Sequence, residues 1–304
     1  MMPQLNRERL IEQSVTGEIT HPLKGRSPYV ISAEGEPKVL PGVGGITFNA
    51  RVGDSAIEWE ADHVEPGASF SHLSDKAGRR AKNNYAFNVM SCVGNKARLL
   101  GWDEDEEEDE EPPVGTVIGT HGGIEHVMID FPWDVLQELT VGDKVQVKAR
   151  GVGMKFLDYE HIKLLNCSPE FIESMELKES KDKLTIPVTH RVPARVMGSG
   201  LGADNTHSGD YDIQMFDQKI VQEHGLDSLR FGDIVAIEDA DHTYGRIYRT
   251  GAITIGVVVH SRSVISGHGP GVTTLMTSSE GNIETEISDQ ANLANILDLR
   301  EDWD

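Results

Sequence analysis

The chain has 304 residues, with 28 Lys and Arg against 50 Asp and Glu, a formal charge of −22. A hydrophobic fraction of 38% suffices for a buried core in one large domain or two small ones, and 31 glycines mark a turn-rich globular chain, neither disordered nor fibrous. Such a negative balance excludes a main role in holding nucleic acid or an anionic membrane, since either needs a basic face.

From the start of the chain, Met1 to Gln4 open no basic-then-apolar leader. The most apolar stretch, 253–259, is too short for a bilayer span and is interrupted by Gly256, so a cytoplasmic protein is expected. The acid excess also fits a salt-adapted cytoplasm. Residues 6–15 carry Leu10, Ile11 and Val15 at helical spacing and predict a short helix. Extended segments follow at 29–31, 39–40, 46–48 and 50–52, with 1–41 read as an N-terminal arm. The run 76–90, broken only at Gly78, predicts a helix. Residues 103–111 are nine consecutive acids followed by Pro112 and Pro113. Such a block repels itself, so 103–113 is expected to be a solvated, disordered loop; calcium loops space their acids with Gly and polar residues, and this one does not. Strands at 115–119, 125–131, 144–149 and 162–165, with short helices at 133–139 and 169–177, complete a first β-rich half over 42–177. The second half, 178–304, has strands at 184–188, 194–197, 211–216, 234–238, 252–259 and 272–277. Helices are predicted at 217–224 and 288–299, the last capped by Ser288. The fold class is therefore α+β, mainly β.

The two halves share a pattern. Thr120-His121-x-Gly123-x-x-His126-Val127 recurs as Thr206-His207-x-Gly209-x-x-Asp212-Ile213, and Leu139-x-x-Gly142-Asp143 as Leu229-x-x-Gly232-Asp233, in the same order. This predicts two pseudo-repeated strand–helix–strand halves packed as one compact β-rich unit. Strand alternation puts Asp210, Asp212 and Gln214 on one face, and His126, Met128 and Asp130 on the face away from the core. If the copies pair, His121, His126, Asp204, His207 and Asp212 converge in one cleft. Imidazole and carboxylate are the ligands a divalent zinc, manganese or iron ion takes, and such a cation activates water for hydrolysis. Asp210 would serve as general base. Taken singly, each of these residues also reads as an ordinary turn or solvent-face side chain.

Three other segments carry reactive groups. Gly267-His268-Gly269-Pro270-Gly271 offers a turn with His268 as acid, base or oxyanion partner, or simply a tight connection between strands. Cys92 in Ser91-Cys92-Val93-Gly94-Asn95 is a candidate nucleophile, with Asn95 orienting a partner, or a small buried residue. Cys92 and Cys167 form no C-x-x-C pairing, which argues against a disulfide framework or a cysteine zinc site. The run Gly198-Ser199-Gly200-Leu201-Gly202 lacks both the Lys-Ser/Thr ending of a phosphate loop and the spacing of a nucleophile elbow.

These motifs together, Ser91 to Ala97, Gly119 to Val127, Ser208 to Gln214 and Gly267 to Thr273, resemble the prokaryotic domain-of-unknown-function family numbered 4438 over about 42–299. That resemblance implies no activity, and the acidic run from Asp103 stands apart from it as an insertion. A weaker likeness is to the acetamidase/formamidase family, whose Asp/His segment before Gly-Asp-Gly-Glu is similar to Asp204, His207, Gly209, Asp210 and Asp212. Here the His-to-Gly-Asp spacing is shorter and Tyr211-Asp212 replaces Gly-Glu. The likeness implies a metal-assisted hydrolase of small amides. The leading expectation is therefore a metal-dependent hydrolase of a small polar amide or lactam, with a small-molecule substrate and a homo-oligomer allowed. The alternatives are a non-catalytic small-molecule or ion-binding module and a structural subunit.

Overall fold

The computed structural model describes residues 3–22, 27–72, 81–102 and 111–301, and its architecture is mainly β. The first half holds β1 (Gln13–Ile19), the two-residue strands β2 (Val30–Ile31), β3 (Pro37–Lys38) and β4 (Ile46–Thr47), then β5 (Gly67–Ser71) and α1 (Lys82–Met90). It continues with β6 (Lys96–Leu100), β7 (Val114–His121), β8 (His126–Asp130), α2 (Trp133–Glu138), β9 (Lys144–Ala149), β10 (Lys163–Leu164) and α3 (Pro169–Ser174). The second half holds β11 (Lys178–Ser180), β12 (Lys183–Val188), β13 (His190–Pro193), β14 (Tyr211–Asp212) and α4 (Gln218–His224). It ends with β15 (Ile234–Asp241), β16 (Ile247–His260), β17 (Gly271–Ser278), β18 (Ile283–Ile287) and α5 (Leu293–Ile296).

Six strands of the first half close into a barrel. The sheet runs β1-β9-β6-β7-β8-β5, and β5 pairs back onto β1 through Glu18–Ser71 and Ile19–Phe70. Closure leaves no open edge along these strands. Phe70, Val117, Val127, Ile129, Val145 and Val147 pack together, each fully buried. A second sheet runs β10-β17-β16-β15-β13, with β14 added to β17. Its two faces serve different cores: Ile255, Val257 and Val259 pack with Ile118 and Met128 of the barrel, while Val235, Ile237 and Val258 pack with Val221 of α4. Burial on both sides explains why β15 and β16 read as near-continuous apolar runs.

Barrel and second sheet meet at a seam. A Cβ built on Gly119 of β7 would lie 2.2 Å from Val259 Cγ1 of β16, so only glycine permits the approach. Thr120 N donates to Thr273 Oγ1 (3.1 Å), whose hydroxyl donates back to Thr120 O (2.9 Å). Gly209 N donates to Thr120 Oγ1 (3.0 Å), which ties the two His-Gly segments of the sequence to one another.

Several expectations need correction. Residues 6–15 form no α-helix, because residues 13–18 pair with β9 in continuous register from Gln13–Ala149 to Glu18–Lys144; only a 3-10 turn, Arg7–Arg9, remains. Residues 194–197 make a 3-10 turn (Ala194–Val196) in place of a strand. Past Asp212 the predicted strand leaves its partner, with Ile213 N bonded to Pro270 O and Gln214 N to Val196 O. The C-terminal helix shortens to α5, capped by Asn292, whose side chain accepts from Ala294 N; Ser288 N is taken by Val188 O. The extended pair expected at 39–40 sits at Pro37–Lys38, and 50–52 make no strand. The recurring segments differ in form, since 120–127 bridge a hairpin whereas 206–210 are irregular, although a short helix and then a strand follow both. On β8, His126, Met128 and Asp130 are buried like their neighbours, because the barrel wall is itself covered. Residues 76–80, at the start of the predicted helix, and acids 103–110 lie outside the described residues. Among the described residues no helix is long and apolar enough to cross a membrane.

Candidate metal centre

The seam gathers imidazoles and carboxylates from four stretches of chain. Residues 62–65, from the loop before β5, run against 261–264 after β16. Val64 N donates to Ser261 Oγ (2.8 Å), Ser261 N to Val64 O (2.9 Å) and His63 N to Arg262 O (3.3 Å). This pairing sets His63 beside His260, the last residue of β16, with ring centroids 5.0 Å apart. The β7 strand ends at His121, and β14 with the residue before it presents Asp210 and Asp212 on one face. Gly271 closes the floor: a Cβ there would fall 2.0 Å from Asp210 Oδ2 and 2.1 Å from His260 Nε2.

Two groups of three ligand atoms result, each within 4.8 Å: His121, Asp210 and His260, all buried, and His63, Asp212 and His268, of which His268 is partly open. Asp210 Oδ2 lies 2.6 Å from His260 Nε2, and its Oδ1 accepts from Gly122 N at 2.7 Å. His121 and His260 stack with ring centroids 4.1 Å apart. Each inner imidazole has its Nδ1–H anchored outward. His121 Nδ1 donates to Glu65, His260 Nδ1 to Ser261 O (2.9 Å), and His63 Nδ1 to Asp62 (2.8 Å). Their Nε2 atoms are thereby left facing inward. Glu65 also accepts from His126 Nδ1 (3.0 Å) and from Ser69. Asp62 is held in turn by Ser263 Oγ and Val264 N. His268 Nδ1 stands 3.0 Å from Asp212 Oδ2 and 3.1 Å from His63 Nε2.

Electrostatics follow from burial opposed by pairing. Burial pushes the Glu65 carboxyl up, but the charges of His126 and His121 outweigh it and hold the group well below its usual range. Asp210 is lowered in the same way, its burial overcome by His121 and His260. Asp62 falls to about 2 because its hydrogen bond and ion pair with His63 exceed its desolvation. Burial lowers His63. Burial likewise lowers His260, but Asp210 more than reverses this and raises it well above the usual imidazole value. The Asp212 hydrogen bond raises His268.

The cluster opens into a cavity of about 1030 Å³. Of the residues singled out from sequence, His121, His126, Asp210, Asp212 and His268 line it. Asp204 is exposed beside a separate shallow pocket, and His207 is half-buried near Lys163; neither belongs to a ligand group among the described residues. Cys92 is fully buried, packed near Gly151, and burial pushes its thiol up to about 12, so it carries no thiolate at neutral pH. Asn95 holds backbone instead, accepting from Cys92 N and Arg150 N and donating to Arg150 O. Sequence reading passes over Asp62, His63, Glu65 and His260. The dense Asp62-His63-x-Glu65 string is the local signal that marks three of them.

Two family models match the chain: the N-terminal part of the domain of unknown function DUF4438 over residues 29–173, and its C-terminal part over 174–297. The crystal structure of TM1086 is similar at 42% identity and a TM-score of 0.87, over 97% of this chain and 99% of that one. No curated protein matches.

Proposed function

The chain belongs to the DUF4438 family, and from that premise we propose a metal-dependent hydrolase of a small polar amide or lactam, with a divalent zinc, manganese or iron ion held by His121, Asp210 and His260. The observation that carries this reading is the outward anchoring of both imidazoles. With Nδ1 of His121 on Glu65 and Nδ1 of His260 on Ser261 O, tautomer and ring angle are set for ligation through Nε2 beside Asp210. The choice of an amide leans on the weaker acetamidase/formamidase likeness. A cation at this position supplies a bound water of lowered pKa.

The side chains around it then divide the work. Gly122 N–H holds Asp210 Oδ1 and leaves Oδ2 directed at His260 Nε2, which makes Asp210 a ligand where the sequence suggested a base. Asp212, whose Oδ1 is 3.6 Å from His260 Nε2, takes the proton of the attacking water. The water oxygen bonds to the carbonyl carbon, the C–N bond breaks, and the leaving nitrogen takes a proton from His268, whose ring is 37% exposed at the cavity. The Asp212–His268 hydrogen bond returns the proton for the next cycle.

Metal analysis of purified protein is the direct test. One equivalent of zinc per chain, with affinity reduced more than about 100-fold in both His121→Ala and His260→Ala, is expected. Absent metal, or unchanged affinity in both variants, refutes the reading. A second equivalent would recruit His63, Asp212 and His268 as ligands, a reading that their mutual approach within 4.8 Å favours and that removes His268 as the acid. Tight metal with no turnover across an amide panel assigns the cleft to non-catalytic binding.

A further inference from the structure

Arg246 is the group at this cavity that the chemistry above does not use. It immediately precedes β16, is only 4% exposed, and lines the same cavity as His121, Asp210 and Asp212. Its Nε and Nη2 have no hydrogen-bond partner. The backbone of the residue is fixed, since Arg246 N donates to Ala203 O (2.9 Å) and Arg246 O accepts from Gly202 N (2.8 Å). The guanidinium carbon sits 5.9 Å from the Tyr211 ring centroid, within reach of a cation–π contact. The negative charges of Asp210 and Asp212 act on it through space without forming an ion pair of contact distance. A buried guanidinium with idle donors is costly to a folded protein unless something completes it.

What completes it is defined by its shape. The guanidinium is a planar fork that takes a two-oxygen anion through parallel N–H···O bonds. Resting on the proposed hydrolase reading, we propose that Arg246 is the docking group for a carboxylate carried by the substrate, so that the substrate class is a small amide or lactam bearing a carboxylate. The planar fork matches the two oxygens of a carboxylate, and Lys38, the other cation lining the cavity, stands 3.9 Å from Glu36. Tyr29, Val30, Leu40, Pro41 and Ile265 line the same cavity, alongside Lys38, and offer apolar surface to the carbon skeleton.

The test is calorimetric titration with succinamate, with succinamide, which replaces the carboxylate by a neutral amide of the same size, and with inorganic phosphate. Wild type, Arg246→Gln and Arg246→Lys are each examined with and without zinc. Wild type is expected to take succinamate at least about tenfold more tightly than succinamide. Arg246→Gln is expected to lose that preference while keeping wild-type zinc stoichiometry, and Arg246→Lys to keep a part of it, as a charge without the fork would. No preference in wild type, or full preference in either variant, overturns the proposal. Phosphate binding tighter than succinamate overturns the carboxylate and assigns a phosphorylated ligand. Zinc bound normally without any carboxylate preference sinks this inference and spares the metal reading. The Arg246-dependent preference persisting in a protein that takes no zinc does the reverse.

Discussion

Glu65 holds two imidazoles with one fully buried carboxylate, so a change that keeps its shape and removes its charge isolates what it does. In Glu65→Gln the side-chain amide can no longer accept from both Nδ1–H groups with full charge, and His121 is freed to rotate. Zinc affinity is expected to fall about 10- to 100-fold in a calorimetric titration, and unchanged affinity would deny Glu65 any hold on the ring. At this scale the site is legible where reactive residues crowd together in sequence: His121, Asp210, Asp212 and His268 stand in glycine-rich strings, and strand alternation already puts the two aspartates on one face. His260 escapes because it ends an apolar strand and looks like a terminus. Its carboxylate partner, Asp210, lies 50 residues away, and His63 reaches it through a segment bonded to 261–264 across 197 residues, which no local pattern reports. Asp204 and His207 are suggested by their place in the recurring motif, yet they join no ligand group among the described residues, although Asn205 and Gly209 beside them line the cavity.

The strand that ends in His121 is positioned by contact with the strand that ends in His260. A methyl group at residue 119 must displace Val259, and because Gly119 lies two residues before His121 the displacement reaches that proposed ligand. Gly119→Ala is expected to cost about 1–3 kcal/mol of stability by overpacking and to weaken zinc binding as well; both are measurable, by denaturant unfolding and by titration. A loss of stability with intact zinc affinity would separate the packing of β7 from the placement of its last residue. The elements best read in advance are those whose own residues decide them. The predicted strand at 144–149 is β9, and the helix predicted at 217–224 starts at an Asp217 cap that accepts from Lys219 N and Ile220 N. The elements misread are those decided by partners. Residues 6–15 have helical spacing, but 13–18 pair with β9. Residues 213–216 have strand-like alternation but no neighbouring strand to pair with.

For the molecule as a whole, Asp130 sets a pH dependence of folding away from the candidate metal centre. Burial raises its carboxyl to about 7, with Arg51 and Arg300 pulling the other way. An unfolded chain gives up this proton near pH 4, whereas the folded chain keeps it to about 7. The neutral group therefore contributes stability that is fully present below about pH 4 and is lost as pH rises to about 7, at no more than roughly 1.4 kcal/mol per pH unit. Asp130→Asn removes that slope. Relative to wild type, its melting temperature should climb between pH 4 and 7 and hold level above. Parallel melting profiles for the two proteins would place the proton elsewhere.

The barrel side supplies His63, Glu65 and His121, the sheet side Asp210, Asp212, His260 and His268, and the two family models divide the chain between residues 173 and 174. A polypeptide severed at that junction would leave each fragment with an incomplete set of donors. Cation uptake on mixing the fragments would then report their reunion, as a split reporter does.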